Sequence, residues 1–365
     1  MFLGYPKKYK YTKDKELEIE KEIKNVNDRT WSYWESPNGS FDSILSKKWS
    51  KANFCSEDFD SDFDLNPYQY KMLRSAAFYQ SIRNKYSKLK NTTFLHAEVK
   101  NIDSKNIVTE VITSEGKFQS KKVFNSLFDP KPMINQKKYP VLQQHFVGWF
   151  IKTKKTSFDS SKVFFMDFNI PQVQETRFIY VLPIDKHNAL VEYTLFSENL
   201  LHFDDYETGI KAYLDSKGIT EFEIEEKEQG NIPMTCFPFE KLNYRSLLHI
   251  GTAGGWTKAS TGFTFKNTTK KTIKLINYIK KNKPLPKFHK TNKFWFYDLL
   301  LLDILFKKNH IGAFIFGKMF QKTTPTQILK FLDEDTSLSE DFRIQSKLPI
   351  IHFIKAGLSR ILRLI

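Results

Sequence analysis

The sequence has few of the features that mark a disulfide-stabilised, zinc-binding or membrane-spanning protein. Its 365 residues include only two cysteines, Cys55 and Cys236, which excludes a disulfide framework and a cysteine-rich zinc site and suits a reducing cytosol. The eight histidines show no metal-ligand spacing. The longest apolar run, residues 294–306, contains Asp298 and Asp303 and falls short of the roughly 20 residues that cross a bilayer. No secretory signal is visible, so we expect a cytoplasmic location.

Positive charge and aromatic rings, by contrast, are abundant. The 57 Lys and Arg residues outnumber the 41 Asp and Glu residues and give a net charge of +16, while Phe, Tyr and Trp make up 15% of the chain. Such an excess of positive charge favours an anionic partner, either nucleic acid or an acidic membrane face, although a solvated lysine-rich surface explains it equally well. Because zinc-finger, RNP and helix-turn-helix signatures are missing, we expect no nucleic-acid partner.

Hydrophobic spacing predicts a mixed α and β fold. Strands are predicted at residues 93–101, 108–113 and 122–126 and through the aromatic stretch 144–196, and helices at residues 66–89, 204–216, 265–281 and throughout 294–365. The helix at 66–89 is expected to begin with Asn66 as its cap and Pro67 in its first turn. Residues 16–20 fit a strand and a helix equally well. We expect an α+β or α/β architecture in which the aromatic strands form their own sheet.

A glycine-rich segment, LLHIGTAGGWTKASTGF, joins a predicted strand to a predicted helix at residues 247–263. Its glycines, which allow close approach of the backbone to a ligand, are Gly251, Gly254, Gly255 and Gly262. Ser260 or Thr261 is expected to cap the helix, whose N-terminal amides favour an anion such as a cofactor pyrophosphate. The spacing is neither that of a P-loop nor that of the dinucleotide fingerprint, and from the glycines alone a structural loop is the better interpretation.

The segment NDRTWSYWE at residues 27–35 combines charge with aromatic rings. Arg29 offers a phosphate ligand, and Trp31, Tyr33 and Trp34 offer a wall of ring faces. A buried aromatic turn with a structural ion pair is an equally good interpretation.

Glu192 lies in the most strand-like part of the chain. In an alternating strand it shares a face with Leu190, Thr194 and Phe196. An ionised carboxylate in such surroundings is costly, so we expect burial to raise its pKa and keep it protonated near neutral pH. A protonated acid among rings suits proton delivery to an alkene, because the π-faces can stabilise the resulting cation. An outward-facing glutamate on a sheet edge is the alternative.

The C-terminal residues are typical of a basic amphipathic helix that lies in a membrane interface. One face is apolar and the other is polar or basic: the first carries Ile350, Ile354, Leu358, Ile361 and Ile365, and the second carries His352, Lys355, Ser359 and Arg363. A terminal helix that packs on the core is the alternative.

Several segments, taken together and in order, resemble the bacterial lycopene β-cyclase family, flavoproteins of carotenoid biosynthesis. They are NDRTWSYWE (27–35), FIYVLP (178–183), ALVEYT (189–194), IPMT (232–235), IGTAGGWTKASTGF (250–263) and FYDLLLLD (296–303). The resemblance extends from about residue 19 over most of the chain. It implies an α+β fold like that of p-hydroxybenzoate hydroxylase, with a Rossmann-type FAD domain, an antiparallel substrate-binding sheet and a helical C-terminal region.

The resemblance also implies a domain division and a reaction. Residues 1–143 and 227–290 would form the FAD-binding domain, 144–226 the substrate sheet, and 291–365 a helical region that contacts substrate and the cytoplasmic membrane face. The family's reaction is an intramolecular lyase (isomerase) reaction, the proton-initiated cyclisation of the ψ-ends of lycopene to β-ionone rings. It uses reduced FAD, with NAD(P)H as reductant, and has no net redox change.

Individual residues take family roles by position. Glu192 corresponds to the acid of the family's Leu-Glu-Glu-Thr motif, although Tyr193 replaces the second acid, and Glu35 is a weaker candidate for a second acid or base. The resemblance assigns cofactor contacts to Glu20, Arg29, Gly251, Thr252, Gly254, Gly255, Ser260, Thr261 and Gly262. Substrate contacts are assigned to Trp31, Tyr33, Trp34, Tyr180 and Trp256.

One departure from the family pattern concerns the cofactor. The family begins with a strand, Gly-x-Gly-x-x-Gly and a helix that hold the FAD pyrophosphate, and this sequence has no such motif. We expect either a shortened N-terminus or a replacement of that unit by residues 1–18, with weakened FAD binding. Two alternatives therefore accompany the cyclase: a truncated or inactive carotenoid-binding relic, and another flavoenzyme of this fold, such as a monooxygenase or reductase.

Overall fold

The computed structural model of the protein describes residues 16–104 and 107–362. Arg363 and Ile365 of the predicted amphipathic helix lie outside these ranges, as do residues 1–15 of the segment predicted to replace the first strand–helix unit. The strands are β1 (Glu16–Glu20), β2 (Thr30–Glu35), β3 (Lys47–Trp49), β4 (Lys51–Ser56), β5 (Phe59–Asp64), β6 (Gln69–Arg74), β7 (Thr92–His96), β8 (Val99–Asp103), β9 (Thr109–Thr113), β10 (Gly116–Ser120), β11 (Val123–Asn125), β12 (Val141–Thr153), β13 (Lys162–Asp167), β14 (Thr176–Pro183), β15 (Asn188–Ser197), β16 (Phe222–Thr235) and β17 (Leu247–His249). The helices are α1 (Ser75–Tyr86), α2 (Lys131–Ile134), α3 (Phe203–Ser216), α4 (Phe265–Lys280), α5 (Lys293–Lys307), α6 (Gly312–Lys322), α7 (Pro325–Leu332), α8 (Leu338–Gln345) and α9 (Ile350–Leu362).

The largest sheet contains the predicted aromatic strands. Its order is β16-β12-β15-β14-β13-β4-β5, and all neighbours are antiparallel except β4 and β13. The sheet is wider than the predicted segment 144–226, because β4 and β5 add to one edge. β12 and β16 also run through the predicted boundaries near residues 143 and 227, since their cross-strand pairing continues past both with one bulge at Glu225.

The two faces of this sheet pack against different partners. On one face Val191 and Tyr193 of β15 contact α3 through Ile210 and Tyr213. The opposite face, which includes Leu190, packs against α5, α6, α7 and strands β2 and β6. The alternation predicted for β15 is therefore confirmed, and the face that carries Glu192 turns toward the larger, aromatic core.

Two short pairs of parallel strands belong to the Rossmann-like part of the fold. β1 pairs with β7 and β11 pairs with β17, both in parallel, and the two pairs belong to separate sheets among the described residues. The ambiguous segment 16–20 is thus a strand. β17 leads directly into the glycine-rich segment, as predicted, and α4 follows.

The predicted helix at residues 66–89 is wrong in its first half. Residues Gln69–Arg74 form β6, and the helix begins only at Ser75. β6 is buried on both sides, with Met72 in the aromatic core and the fully buried Lys71 on the opposite face. A strand covered on both faces has no period-two pattern, so its apolar residues were mistaken for one face of a helix.

Helices fill the C-terminal region, as predicted. α5 is largely buried, whereas α9 is packed through Ala356 and Arg360 and keeps several apolar side chains exposed. Within the described ranges, none of the helices combines the length and the apolar character that crossing a bilayer would require.

Candidate active site

Glu192 lies in the middle of the large sheet, on the face toward the aromatic core. Its strand is flanked by β12 and β14, and the directly opposite residue on β14 is Tyr180. Thr194 Oγ1 donates a hydrogen bond to Glu192 Oε1 at 2.7 Å. Although some of the side chain remains accessible, burial raises its pKa to about 8, and the nearby Glu228 carboxylate adds to the effect. At neutral pH the group is therefore mainly protonated.

Aromatic and apolar side chains surround a small cavity beside this acid. Its lining consists of Phe165, Met166, Tyr180, Phe196, Ser260, Thr261, Phe263, Phe316, Met319, Phe320 and Leu332. The cavity holds about 20 Å³, which is room for about one water molecule. Tyr180 joins the cavity to Glu192, which is not among the lining residues. A larger guest must displace rings here before it reaches the carboxyl group.

The aromatic segment of β2 is divided between two environments. Trp34 faces the main core, with its ring centroid 4.7 Å from that of Phe263. Trp31 and Tyr33 point to the other side of the strand and pack on Phe265, the Trp31 ring at 4.9 Å. Of the three predicted wall residues, only Trp34 therefore lies on the side of the acid.

The structure places Glu35 and Trp256 away from the predicted site. Glu35 accepts a hydrogen bond from the buried Lys71 Nζ at 3.1 Å, so its nearest charged partner is that ammonium group. Trp256 is buried in a separate small core with Leu248 and Leu275. Neither residue lines the aromatic cavity, so neither is brought to Glu192 in the way the sequence suggested.

The glycine-rich segment forms a tight turn at the carboxyl end of β17. A 3-10 turn spans Gly251–Gly254, and a side chain at Gly254 would place its Cβ 2.2 Å from the His249 carbonyl oxygen. The side chains of Thr252 and Thr257 lie 3.3 Å apart, oxygen to oxygen, within the loop. Positive φ angles occur at Gly251, Gly255 and Gly262, with values of 58°, 63° and 70°.

The predicted capping role of Ser260 or Thr261 is wrong. α4 begins at Phe265 after Thr264, and no side chain caps it. The loop continues further than the sequence suggested because the Lys258 backbone makes three turn hydrogen bonds. Its amide donates to the Phe263 carbonyl, and its carbonyl accepts from the Thr261 and Gly262 amides. Ser260 and Thr261 instead line the aromatic cavity.

A buried ion network, not predicted from the sequence, fixes this loop. Lys258 Nζ lies 3.0 Å from both carboxylate oxygens of Asp298 on α5 and 3.3 Å from Glu334. Burial alone acts to lower the pKa of Lys258, but the Asp298 and Glu334 carboxylates outweigh it and raise that pKa. The only sequence signal was that both partners, Lys258 and Asp298, fall inside segments that resemble the same family.

The remaining predicted cofactor contacts lie at the N-terminal end of the described chain. Glu20 ends β1 and is paired with His96 of β7, and its Oε1 accepts a hydrogen bond from the Glu22 amide at 3.3 Å. The Arg29 side chain is 55% exposed and reaches Asp28 at 3.3 Å. The Glu20 residue is partly exposed and Arg29 is exposed, so solvent reaches both.

Comparison with known proteins identifies the family. The sequence model of the lycopene cyclase proteins matches residues 17–357. The chain belongs to the lycopene cyclase family. No curated protein sequence gives a significant match.

Solved structures show that this family member has a flavoprotein fold. It is similar to a geranylgeranyl bacteriochlorophyll reductase-like protein from Thermoplasma acidophilum, with 12% identity, coverage of 94% of this chain and 89% of that one, and a TM-score of 0.57. A flavoprotein/dehydrogenase from Cytophaga hutchinsonii has 13% identity, 87% and 83% coverage and a TM-score of 0.52. A p-nitrophenol 4-monooxygenase from Pseudomonas putida has 12% identity, 93% and 91% coverage and a TM-score of 0.52. The predicted fold class is confirmed.

In this lycopene cyclase family member, the residues at the glycine-rich loop fit the ring system of a flavin better than its phosphates. Thr261 Oγ1 and Gln144 Oε1 are buried and have no hydrogen-bond partner in the part of the chain that the structure describes. A Cβ at Gly262 would lie 2.2 Å from Gln144 Oε1, so this oxygen lies against the glycine-rich loop that carries Thr261. They suit the polar edge of a planar heterocycle. For the pyrophosphate, the sequence offers no glycine fingerprint.

Proposed function

We propose that this protein is a lycopene β-cyclase that converts the ψ-ends of lycopene to β-ionone rings. The observation that carries the proposal is Glu192, which combines the position of the family's acidic motif with a largely protonated state at neutral pH. Hydrocarbon and ring side chains dominate the core around it, which matches a polyene that offers no polar group for recognition.

The reaction proposed for this acid is an isomerisation with no net change in protons or electrons. The Glu192 carboxyl group transfers its proton to the terminal C1–C2 double bond of the polyene. The C5–C6 double bond then attacks the resulting cation and closes the ring, and loss of a ring proton completes the product. The faces of Trp34, Phe165 and Tyr180 lie in the same core and suit stabilisation of a transient positive charge.

A bound flavin is part of this proposal. Thr261 and Gly262, with Gln144, would hold its ring system, and Glu20 and Arg29 would lie toward the adenosine end. When bound in its reduced form, FAD supplies an electron-rich ring that stabilises positive charge, with NAD(P)H as the reductant. The protein's own contribution is to exclude water, to orient the polyene end and to hold the proton on Glu192.

The small size of the cavity means that substrate entry requires side-chain movement. Phe54 and Phe320 stack with centroids 4.0 Å apart, and Phe168 and Phe316 stack at 5.8 Å. Phe316 and Phe320 belong to α6, which forms one wall of the cavity. We propose that α6 shifts to admit the polyene, because the facing wall is a hydrogen-bonded sheet that deforms less readily.

Association with the cytoplasmic membrane face is also proposed, since the substrate dissolves in the bilayer. Among the apolar residues of α9, Ile351 is 64% exposed, Ile354 is 52% and Leu358 is 55%. The exposed Lys355 lies on the same helix, and the net charge of the chain is +16. An exposed apolar row with basic residues suits a layer of acidic headgroups over hydrocarbon.

The test is expression of the full chain in a lycopene-accumulating bacterial host. The chain is expected to produce cyclised yellow carotenoid, and Glu192→Gln is expected to abolish it while circular dichroism stays unchanged. Glu198→Gln, at an exposed position near the end of the same strand, is the matched control and should retain activity. Cyclisation by Glu192→Gln at the wild-type rate would show that Glu192 is not the acid.

Assays of the protein purified from that host separate the alternative functions. Binding of lycopene without a product indicates a carotenoid-binding relic. Stoichiometric NAD(P)H consumption or a need for oxygen indicates a reductase or monooxygenase instead.

A further inference from the structure

A second glutamate lies two strands away from Glu192 on the same face of the sheet, with a glycine between them. Gly148 on β12 is paired directly with Glu192 of β15 on one side and with Glu228 of β16 on the other. Paired residues in a sheet point to the same face, so both glutamates lean over the bare backbone of Gly148. A Cβ on Gly148 would lie 3.3 Å from Glu228 Cγ and 3.6 Å from Glu192 Cβ.

Each of the two carboxylates is held by a threonine rather than by a cation. Thr30 Oγ1 donates to Glu228 Oε2 at 2.6 Å, much as Thr194 donates to Glu192. Burial raises the pKa of Glu228, and the Thr30 hydrogen bond and the charge of Arg74 only partly oppose this. No lysine or arginine within the described ranges forms a salt bridge with either group, since Arg74 instead makes its ion pair with Glu226.

The surroundings of this pair disfavour ionisation of both carboxyl groups at the same time. Among the described residues, the other titratable or charged groups that act on this pair are Tyr70 and Arg74 of β6, Tyr180 of β14 and Glu226 of β16. Two carboxylates that share a poorly solvated space cannot both ionise cheaply, so ionisation of one holds the proton more tightly on the other. The pair therefore suits a cycle in which one member gives a proton while the other is free to accept one.

We propose that Glu228 is the second acid–base residue of the cyclisation, which returns the proton to Glu192. This inference rests on the proposed function. Glu192 gives its proton to the alkene and becomes a carboxylate, and the ionised Glu228 accepts the proton that the cyclised cation releases. Transfer of this proton from Glu228 to Glu192 restores the starting state, so no proton is taken from solvent in a turnover.

The coupling between the two groups is tested without substrate. The full chain, labelled with ¹³C at glutamate carboxyl carbons, is titrated by NMR, and Glu192→Gln and Glu228→Gln identify the two signals by their loss. In Glu228→Gln the titration midpoint of Glu192 is expected to fall by about one pH unit or more, because the repelling charge is gone. The exposed Glu225→Gln on the same strand is the control and should move neither signal.

An unchanged Glu192 midpoint in Glu228→Gln would overturn the proposal, whatever the activity of the protein. Should Glu228→Gln not fold, Glu192→Gln measures the same coupling on the signal of Glu228, since the interaction is reciprocal.

The activity of the variants then separates this inference from the proposed function. Glu228→Gln is expected to slow cyclisation by about 10² to 10⁴-fold, a usual effect of losing one acid–base group, and to shift the basic limb of the pH profile downward. A Glu228→Gln protein with wild-type rate and pH profile, alongside an inactive Glu192→Gln protein, would refute the relay alone. If the wild-type chain forms no product, the proposed function fails while the titration still reports on the pair.

Discussion

At the residue scale, the site depends on a carboxyl group that the fold keeps out of water. Glu192 has a pKa of about 8 in the folded chain, whereas a solvated glutamate has one near 4.5. The folded state therefore binds a proton that the unfolded state has already lost between these two values. A raised pKa of an acid means that ionisation opposes folding, so Glu192 lowers stability as pH rises through this window.

This linkage predicts how Glu192→Gln changes stability. Relative to wild type, the variant should gain stability between about pH 4.5 and pH 8, by on the order of 4 kcal/mol in total, and the gain should level off above pH 8. Urea unfolding of both proteins at pH 5, 7 and 9 measures it. Glu198→Gln should show no such trend, and a pH-independent difference for Glu192→Gln would mean that the carboxyl group is solvated.

The bare backbone between the two glutamates makes a second prediction. In Gly148→Ala the new Cβ would lie 2.9 Å from Leu190 Cδ1 as well as against Glu228, so the neighbours must shift. We expect a loss of about 1–3 kcal/mol, as for other overpacked sites. Chemical denaturation measures the loss, and Gly357→Ala on α9, where nothing lies within 4 Å of the added Cβ and the backbone is helical, serves as the comparison for the steric contribution. An equal loss at both positions would show that steric crowding at Gly148 is not the cause.

Sequence reasoning predicted single residues unevenly. The environment of Glu192 followed from strand alternation, because alternate side chains point to the same face and its neighbours on that face are apolar. Glu35 was assigned to the site although Lys71, 36 residues away in sequence, is its actual partner. Glu228 was missed because its strand contains the charge-rich run EIEEKEQG, which is typical of an exposed edge. Only the register of β12 shows that this glutamate lies beside Gly148.

At the scale of elements, the glycine-rich loop is held by its ion pair with α5. Lys258→Met leaves Asp298 buried without its cation and should cost about 3–5 kcal/mol. Adding Asp298→Leu should recover much of this loss, which a double-mutant cycle in urea measures. The control is Lys21→Met: this lysine also contacts a carboxylate at 2.8 Å, but both side chains are more than half exposed, so we expect less than about 1 kcal/mol. Equal losses for the two lysines would contradict the argument.

The exposed face of α9 makes a prediction about membranes. Changing Ile354 and Leu358 together to Asn should weaken binding to vesicles that contain phosphatidylglycerol by at least about tenfold, because two apolar anchors are lost. Co-sedimentation measures the binding, and melting should hardly change because both side chains are exposed. The control is Leu200→Asn, 52% exposed between β15 and α3, and equal binding by all three proteins would exclude α9 as the contact.

Helices and strands were predicted best where their apolar side chains lie on one face only. α3 and α4 were located within about two residues, since each shows its apolar side chains on one face only. The helix predicted across β6 failed because a strand buried on both faces carries no alternation. The strand predicted at 93–101 is in fact β7 and β8, which belong to different sheets. A turn between them without glycine or proline gave no sequence signal.

At the scale of the whole molecule, the Rossmann-like part is divided into two parallel pairs. β1–β7 and β11–β17 are separate sheets among the described residues, and the sequence lacks the glycine fingerprint of a dinucleotide-binding first unit. We expect the 365-residue chain to retain little FAD on purification. A version preceded by a Gly-rich strand–helix unit should retain several-fold more, measured by flavin absorbance per protein. Equal flavin in both would show that other residues suffice for the phosphates.

The arrangement of α5 has a consequence for how the molecule would respond to lipid. Asp298 on this helix is clamped by the glycine-rich loop, and Asp303, just over one turn later, is clamped by Arg360 of α9. Helix α5 thus carries two buried ion pairs. One is at the proposed flavin loop, and the other is with the helix proposed to contact the bilayer. A tilt of α9 on binding lipid would move α5 through Arg360 and Asp303, and α5 would move the loop through Asp298 and Lys258. The cyclisation rate of one protein preparation should therefore differ between detergent micelles and vesicles.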